Sequence, residues 1–135
     1  MRSEKAKMLA GELYVADCPE LAADNARANE WMDRYNARQA IPAEDRRSML
    51  AELFARVDDD AFIRPPFHCD YGYNISLGRG AFLNFGCIIL DVAEVTIGAG
   101  TQIGPGVQIL TADHPRDPAQ RRQRLEFGRP VHIGA

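Results

Sequence analysis

His114 leads the side chains whose type and setting suggest chemistry. It stands in Thr111-Ala112-Asp113-His114-Pro115, where a regular spacing of apolar residues stops and a loop begins. An unperturbed imidazole titrates near about 6.5, so it can take a proton from a hydroxyl near neutral pH. The plainer reading is a turn histidine before a proline, and the residues alone leave both open. Asn84 comes one place after the apolar Leu83. Its side chain should therefore face outward, where an amide can both donate to and accept from a hydroxyl, or form a corner. Arg116, Arg121, Arg122, Arg124 and Arg129 against Asp117 and Glu126 leave the 116–129 loop basic. Such a loop attracts phosphates or is simply solvated. Two other patterns fail on spacing. Gly98, Gly100 and Gly104 miss the dinucleotide-binding fingerprint by one place, and no strand–helix unit follows them. His68, His114 and His132 are too scattered for a metal cluster, so no metal is expected.

These side chains sit in a chain of 135 residues with 46% hydrophobic and 26% charged residues, which argues for a folded domain and against disorder or a nucleic-acid tail. No apolar run approaches the ~18 residues of a membrane span. The charged opening does not read as a secretory signal. Cys18, Cys69 and Cys87 are odd in number and far apart, so a disulfide framework is not expected and a reducing cytoplasm is. The net charge of −3 is uneven, with −4 in residues 1–60 and +1 in residues 61–135. Glycine divides the same way: Gly11 stands alone before residue 70, and the other ten lie between Gly72 and Gly134.

The elements that must position the site differ across that division. Residues 1–60 read as helical. Glu4 to Leu9 forms a short helix. A second begins at Asp17-Cys18-Pro19-Glu20, with Asp17 or Cys18 outside and Pro19 in the first turn, and runs to about Asn36. Leu21, Asp24, Ala28, Trp31, Met32 and Tyr35 mark one of its faces. A third follows Pro42, with Leu50, Leu53, Phe54 and Val57 on one side and a stop at Asp58-Asp59-Asp60. Arg64-Pro65-Pro66 breaks the chain. Beyond it the period becomes six: Leu77, Leu83, Ile89, then Ile97, Ile103, Ile109 after an eight-residue step that implies an expanded corner. Three such hexads make one triangular coil whose apolar residue stacks on its equivalent in the next, a parallel β-helix.

The hexads resemble the hexapeptide-repeat acyltransferases. The opening EKAKMLAGELY, with RPPFHCDYGYNISLG (64–78), FLNFGCIILD (82–91) and IGPGVQILTADHP (103–115), resembles the maltose and galactoside O-acetyltransferases within that family. The resemblance implies a mainly β fold, a left-handed parallel β-helix in residues 61–135 with a helical segment in residues 1–60 and a loop extruded at about 114–130. It also implies a homotrimer that transfers acetyl from acetyl-coenzyme A to a hydroxyl of maltose, glucose or a related sugar. On the matched motifs His114 is the general base, and Glu126, in Leu125-Glu126-Phe127-Gly128, orients it. Asp17, Asp70, Asn84, Asp91 and Phe82 fall at the acceptor pocket. Asp70 replaces a hydroxyl residue of the galactoside branch, which favours a maltose- or glucose-type acceptor. Asp17 also suits a helix cap, Asp91 a turn and Phe82 the core.

Residues that would hold the coenzyme are not identified. The resemblance places most of them in further coils after Ile133-Gly134-Ala135, which reads as the start of a hexad, so the chain is expected to be truncated. Two other outcomes stay open on these residues: an inactive, non-catalytic β-helical trimer, and an acyltransferase with a non-sugar acceptor.

Overall fold

The computed structural model describes residues 2–134. Helix α1 (Glu4–Leu9) starts at Ser3, whose hydroxyl accepts from the Ala6 amide at 3.1 Å. Strand β1 (Tyr14–Val15) follows, two residues that the sequence did not signal. Helix α2 (Pro19–Asn36) has Pro19 in its first turn and buries Leu21, Ala28, Trp31, Met32 and Tyr35, the expected face without Asp24. Its N-cap is Cys18, with no side-chain cap bond; Asp17 lies outside and does not cap it. Helix α3 (Ala43–Ala51) is shorter than the apolar spacing predicts. Leu53 and Phe54 are buried in a turn whose amides both return to the Leu50 carbonyl, and Val57 belongs to strand β2 (Arg56–Val57). The helical spacing loses here to strand pairing. The Ala55 and Asp58 amides donate to the Ile75 and Leu77 carbonyls, which satisfies an edge that would otherwise lie open.

From β2 onward the chain coils, so the coil begins a few residues inside the segment expected to be helical. Strands β3 (Phe62–Ile63), β4 (Phe67–Cys69), β5 (Ile75–Leu77), β6 (Phe82–Leu83), β7 (Cys87–Leu90), β8 (Val95–Ile97), β9 (Gln102–Ile103) and β10 (Gln108–Leu110) form the successive sides. An excursion then carries β11 (Ala112–Asp113), the short helix α4 (Pro118–Arg122) and β12 (Leu125–Gly128), before β13 (Val131–Ile133) rejoins the coil. Three parallel sheets run β2-β5-β8-β13, β3-β6-β9 and β4-β7-β10. This is the left-handed parallel β-helix with a helical segment ahead of it.

The register stacks one inward row per sheet: Val57, Leu77, Ile97 and Ile133; Ile63, Leu83 and Ile103; Cys69, Ile89 and Ile109. Successive coils up to Ile109 are twenty residues apart in all three rows, which is three hexads plus the two-residue corner; Ile133 follows Ile97 by 36 because the excursion intervenes. Leu77, Leu83, Ile89 and Ile97 are wholly buried. The first coil would be open below if α2 did not close it. Asn36 donates to the Phe67 carbonyl and accepts from the Phe67 amide, both at 2.8 Å; Cys69 N donates to the Met32 sulfur; and the Tyr35 hydroxyl donates to the Ile63 carbonyl. Trp31 stacks on Tyr35 with ring centroids 4.5 Å apart and donates its indole N–H to the Met49 carbonyl, tying α3 to the same lid.

Leu83 sits wholly buried between Ile63 and Ile103. Leu83→Ala should therefore cost about 3 kcal/mol in urea unfolding, the transfer loss plus the cavity. A loss below about 1 kcal/mol would contradict a dry, stacked interior.

Candidate functional site

Three antiparallel strands from distant parts of the chain build the platform of the site. β12 lies between β1 and β11, with Tyr14 opposite Glu126, Val15 opposite Leu125, Ala112 opposite Gly128 and Asp113 opposite Phe127. β11 ends at Asp113, so His114 follows the last paired residue of that strand, and Glu126 precedes its partner Phe127. Residues directly opposite in an antiparallel pair share a face. Tyr14 and Glu126 therefore share a face, Tyr14 wholly buried and Glu126 half-buried, while His114, just past the adjoining end of β11, is exposed. The Tyr14 hydroxyl donates to Glu126 Oε2 at 3.2 Å. Burial and then the Glu126 charge push the Tyr14 phenol far above its usual range, so it remains a neutral donor.

The platform is held to the coil at one corner. The excursion leaves after Thr111 and returns at Arg129, whose amide donates to the Thr111 carbonyl at 3.1 Å. Thr111 is buried; its hydroxyl donates to the Leu90 carbonyl and accepts from the Ala93 amide. Gly128 lets β12 press on the coil, since a Cβ there would stand 2.5 Å from Val92 Cγ2. Beneath lies a second small core of Met8, Tyr14, Leu21, Tyr71 and Val92.

One level lower, Asp91 is wholly buried and accepts from the backbone amides of Asp70, Tyr71, Gly72 and Asn74 at 2.8 to 3.3 Å. Asn74 donates back to the Asp91 carbonyl at 2.7 Å. Gly72, at φ +87°, is the residue that allows this tight wrap. Asp91 is thus the anchor of the 70–74 corner. The structure corrects its placement as a direct acceptor contact: both of its oxygens face backbone amides and none of it reaches solvent. Asp70 is what the anchor presents. Its carboxyl is pushed up to about 6 by burial, with the Glu126 charge adding to the effect, so the two carboxylates are neighbours. Asn25 of α2 fixes the Asp70 carbonyl at 3.0 Å. Burial also lifts Asp91 to about 6, against the lowering effect of its amide donors.

Asp17 is exposed and lies 3.5 Å from Arg124, at the entry to β12, which puts it on the rim of the same platform. Of the sequence-derived residues, the structure therefore gathers His114, Glu126, Asp70 and Asp17, with Asp91 behind them. Phe82 and Asn84 lie elsewhere, on the outer face of β6 and at the corner before β7. Phe82 is half-exposed beside Phe62 with centroids 6.3 Å apart, and Asn84 Oδ1 accepts from Arg64 at 3.2 Å and from the Phe85 amide. The loop arginines mostly serve the loop: Arg116 pairs with Asp113, Arg121 donates to the Pro115 and Arg116 carbonyls, and Arg129 lies over Phe127. Tyr14 is the site residue that sequence reasoning missed, because two paired residues between Gly11 and Asp17 give no period to read. Among the described residues, no trio of His, Cys, Asp or Glu is arranged to hold a metal ion, and no helix is long and apolar enough to cross a membrane.

Comparison with known proteins fits this arrangement. Residues 7–58 match the maltose acetyltransferase hexapeptide capping motif. Nodulation protein L of Rhizobium meliloti (strain 1021) is 57% identical over 133 residues, which are 98% of this chain and 73% of that protein. The crystal structure of a maltose O-acetyltransferase from Clostridium difficile 630 is similar with a TM-score of 0.91 and 35% identity, over 99% of this chain and 75% of that one. Galactoside acetyltransferase in complex with coenzyme A gives a TM-score of 0.88 and 30% identity, over 96% and 65%.

Asp70 binds its proton more tightly folded than unfolded, so the unfolded chain releases that proton first as pH rises. The stability this group contributes is complete below about pH 4 and is lost by about pH 6. In thermal unfolding, Asp70→Asn should gain on the unmodified chain as pH rises across that window. A difference between the two that stays constant with pH would contradict the raised carboxyl.

Proposed function

Because the chain belongs to the maltose and galactoside O-acetyltransferase family of hexapeptide-repeat proteins, we propose that it moves acetyl from acetyl-coenzyme A directly to a sugar hydroxyl, with His114 as general base. The observation that supports this reading is the β11–β12 pairing, which ends at Asp113 and Phe127 and so brings the exposed His114 and the half-buried Glu126, itself held by Tyr14, to adjoining positions where the chain leaves the coil. A base so placed has one ring nitrogen for the incoming hydroxyl and the other for Glu126, which fixes the tautomer and steadies the imidazolium that forms.

The step balances without a covalent enzyme intermediate. The sugar oxygen bonds to the thioester carbonyl carbon while its proton passes to His114. Collapse breaks the carbon–sulfur bond, and the leaving thiolate takes the proton back as coenzyme A. Acetyl-coenzyme A is a co-substrate here, in keeping with the coenzyme A bound in the similar galactoside acetyltransferase. Asp70 near Glu126 and Asp17 at the rim beside Arg124 suit hydrogen bonds to other sugar hydroxyls; a carboxylate at 70 favours a maltose- or glucose-type acceptor. Three free thiols suit a cytoplasmic protein.

Phe82 and Asn84 belong to the same reading through assembly. The sheet between their corner and that of His114 exposes Phe85 (45%), Val107 (37%) and Leu110 (51%). An apolar outer face of this kind favours burial against another copy. In a homotrimer, the Phe82 and Asn84 corner of one copy would complete the His114 corner of the next.

A thiol-release assay with acetyl-coenzyme A and a panel of sugars tests the chemistry. Release should depend on a sugar, and His114→Ala should lower it by about 10²- to 10⁴-fold, the usual contribution of a positioned base. Undiminished release by that variant would sink the assignment. Light scattering at micromolar concentration should return three chains per particle, and a stable monomer would remove the shared-corner reading.

A further inference from the structure

We propose that Tyr14 is a positioning residue of the site: its hydroxyl holds Oε2 of Glu126 and leaves the other carboxylate oxygen for the His114 imidazole. The inference rests on the general-base reading above and deepens it. Tyr14 is wholly buried in the small core under the platform, with Met8, Leu21, Tyr71 and Val92. Its backbone pairs directly with Glu126, so its ring cannot drift along the strand, and its hydroxyl donates to Oε2 at 3.2 Å. Among the described residues, no other hydrogen bond reaches the Glu126 carboxylate.

A carboxylate half-open to water has several rotamers, and only some face the next strand. One fixed donor removes that freedom, and a buried phenol is suited to the task because burial keeps it neutral and so a donor. The groups near Glu126 are Tyr14 from β1 and Asp70 and Tyr71 from the corner after β4, with His114 just past the adjoining end of β11. The nearby cation, Arg124, is paired with Asp17.

The test compares Tyr14→Phe, Glu126→Gln and His114→Ala in the full chain. Carboxyl-carbon NMR titration should show the Glu126 midpoint rising in Tyr14→Phe, since a donor to the charged form is gone. Imidazole nitrogen shifts should show His114 in one tautomer in the unmodified chain and in a mixture in both Tyr14→Phe and Glu126→Gln. In the thiol-release assay, Tyr14→Phe should lower kcat by about tenfold at unchanged KM, with the acid limb of the pH profile moved upward. Added to Glu126→Gln it should change little further, as members of one unit do. If His114→Ala and Glu126→Gln keep full turnover, the general-base reading fails. If those two lose turnover while Tyr14→Phe keeps the Glu126 midpoint, the tautomer and the rate, the role of Tyr14 alone is overturned. Should Tyr14→Phe not fold, 3-fluorotyrosine placed at position 14 keeps the volume and strengthens the donor. It should lower the Glu126 midpoint, and an unmoved midpoint overturns the proposal.

Discussion

The inward rows of the coil can stay dry only if each has a neighbour above and below. Leu77 is buried because Val57 and Ile97 stand on either side of it, and Leu83 because Ile63 and Ile103 do. The first level has no coil beneath it, and its strands would otherwise present open backbone groups and an open apolar end. The helical segment answers that need. Asn36 pairs with both backbone groups of Phe67, the Met32 sulfur meets the Cys69 amide, and Trp31, Tyr35 and Phe54 cover the end of the interior. These helices bury too little among themselves to stand alone. They are the lid of the coil rather than a separate domain.

The same dependence places the site. Every coil has corners, and one of them carries an excursion large enough to fold back on the helical segment. β12 can lie between β1 and β11 only because α1 and α2 have already brought Tyr14 to that side of the coil. Two aspartates one level apart then take different work. Asp91 is engulfed by four amides and shapes the corner; Asp70, held by that corner and by Asn25, stays half-buried within the field of Glu126. Both are raised to about 6 by burial, yet only Asp70 is open to a ligand. A shifted carboxyl alone therefore does not distinguish a scaffold from a binding group, whereas the partners of its oxygens do.

Much of the fold was legible. The period of six, the eight-residue corner and the glycine division each describe a feature that is repeated or local, and local features survive in a linear string. The end of the repeat, where His114 stands, was legible for the same reason. What misled was also local: Leu50, Leu53, Phe54 and Val57 satisfy helical spacing, but the open edge of β5 claimed the backbone at Ala55 and Asp58. Asp17 has the right place and type for a cap, but the helix starts from Cys18 and Asp17 faces Arg124.

The coil, its inward rows and the point of excursion follow from spacing along the chain, because a residue that recurs every six positions must meet its equivalent whatever else the chain does. Which distant side chains come together does not follow from spacing. Tyr14 and Glu126 are 112 residues apart, Asp70 and Asp91 twenty-one, and β11 meets β12 across a return whose length no period sets. Such meetings depend on where the lid, the corner and the excursion come to rest against one another, and that is fixed by packing and register rather than by spacing along the chain.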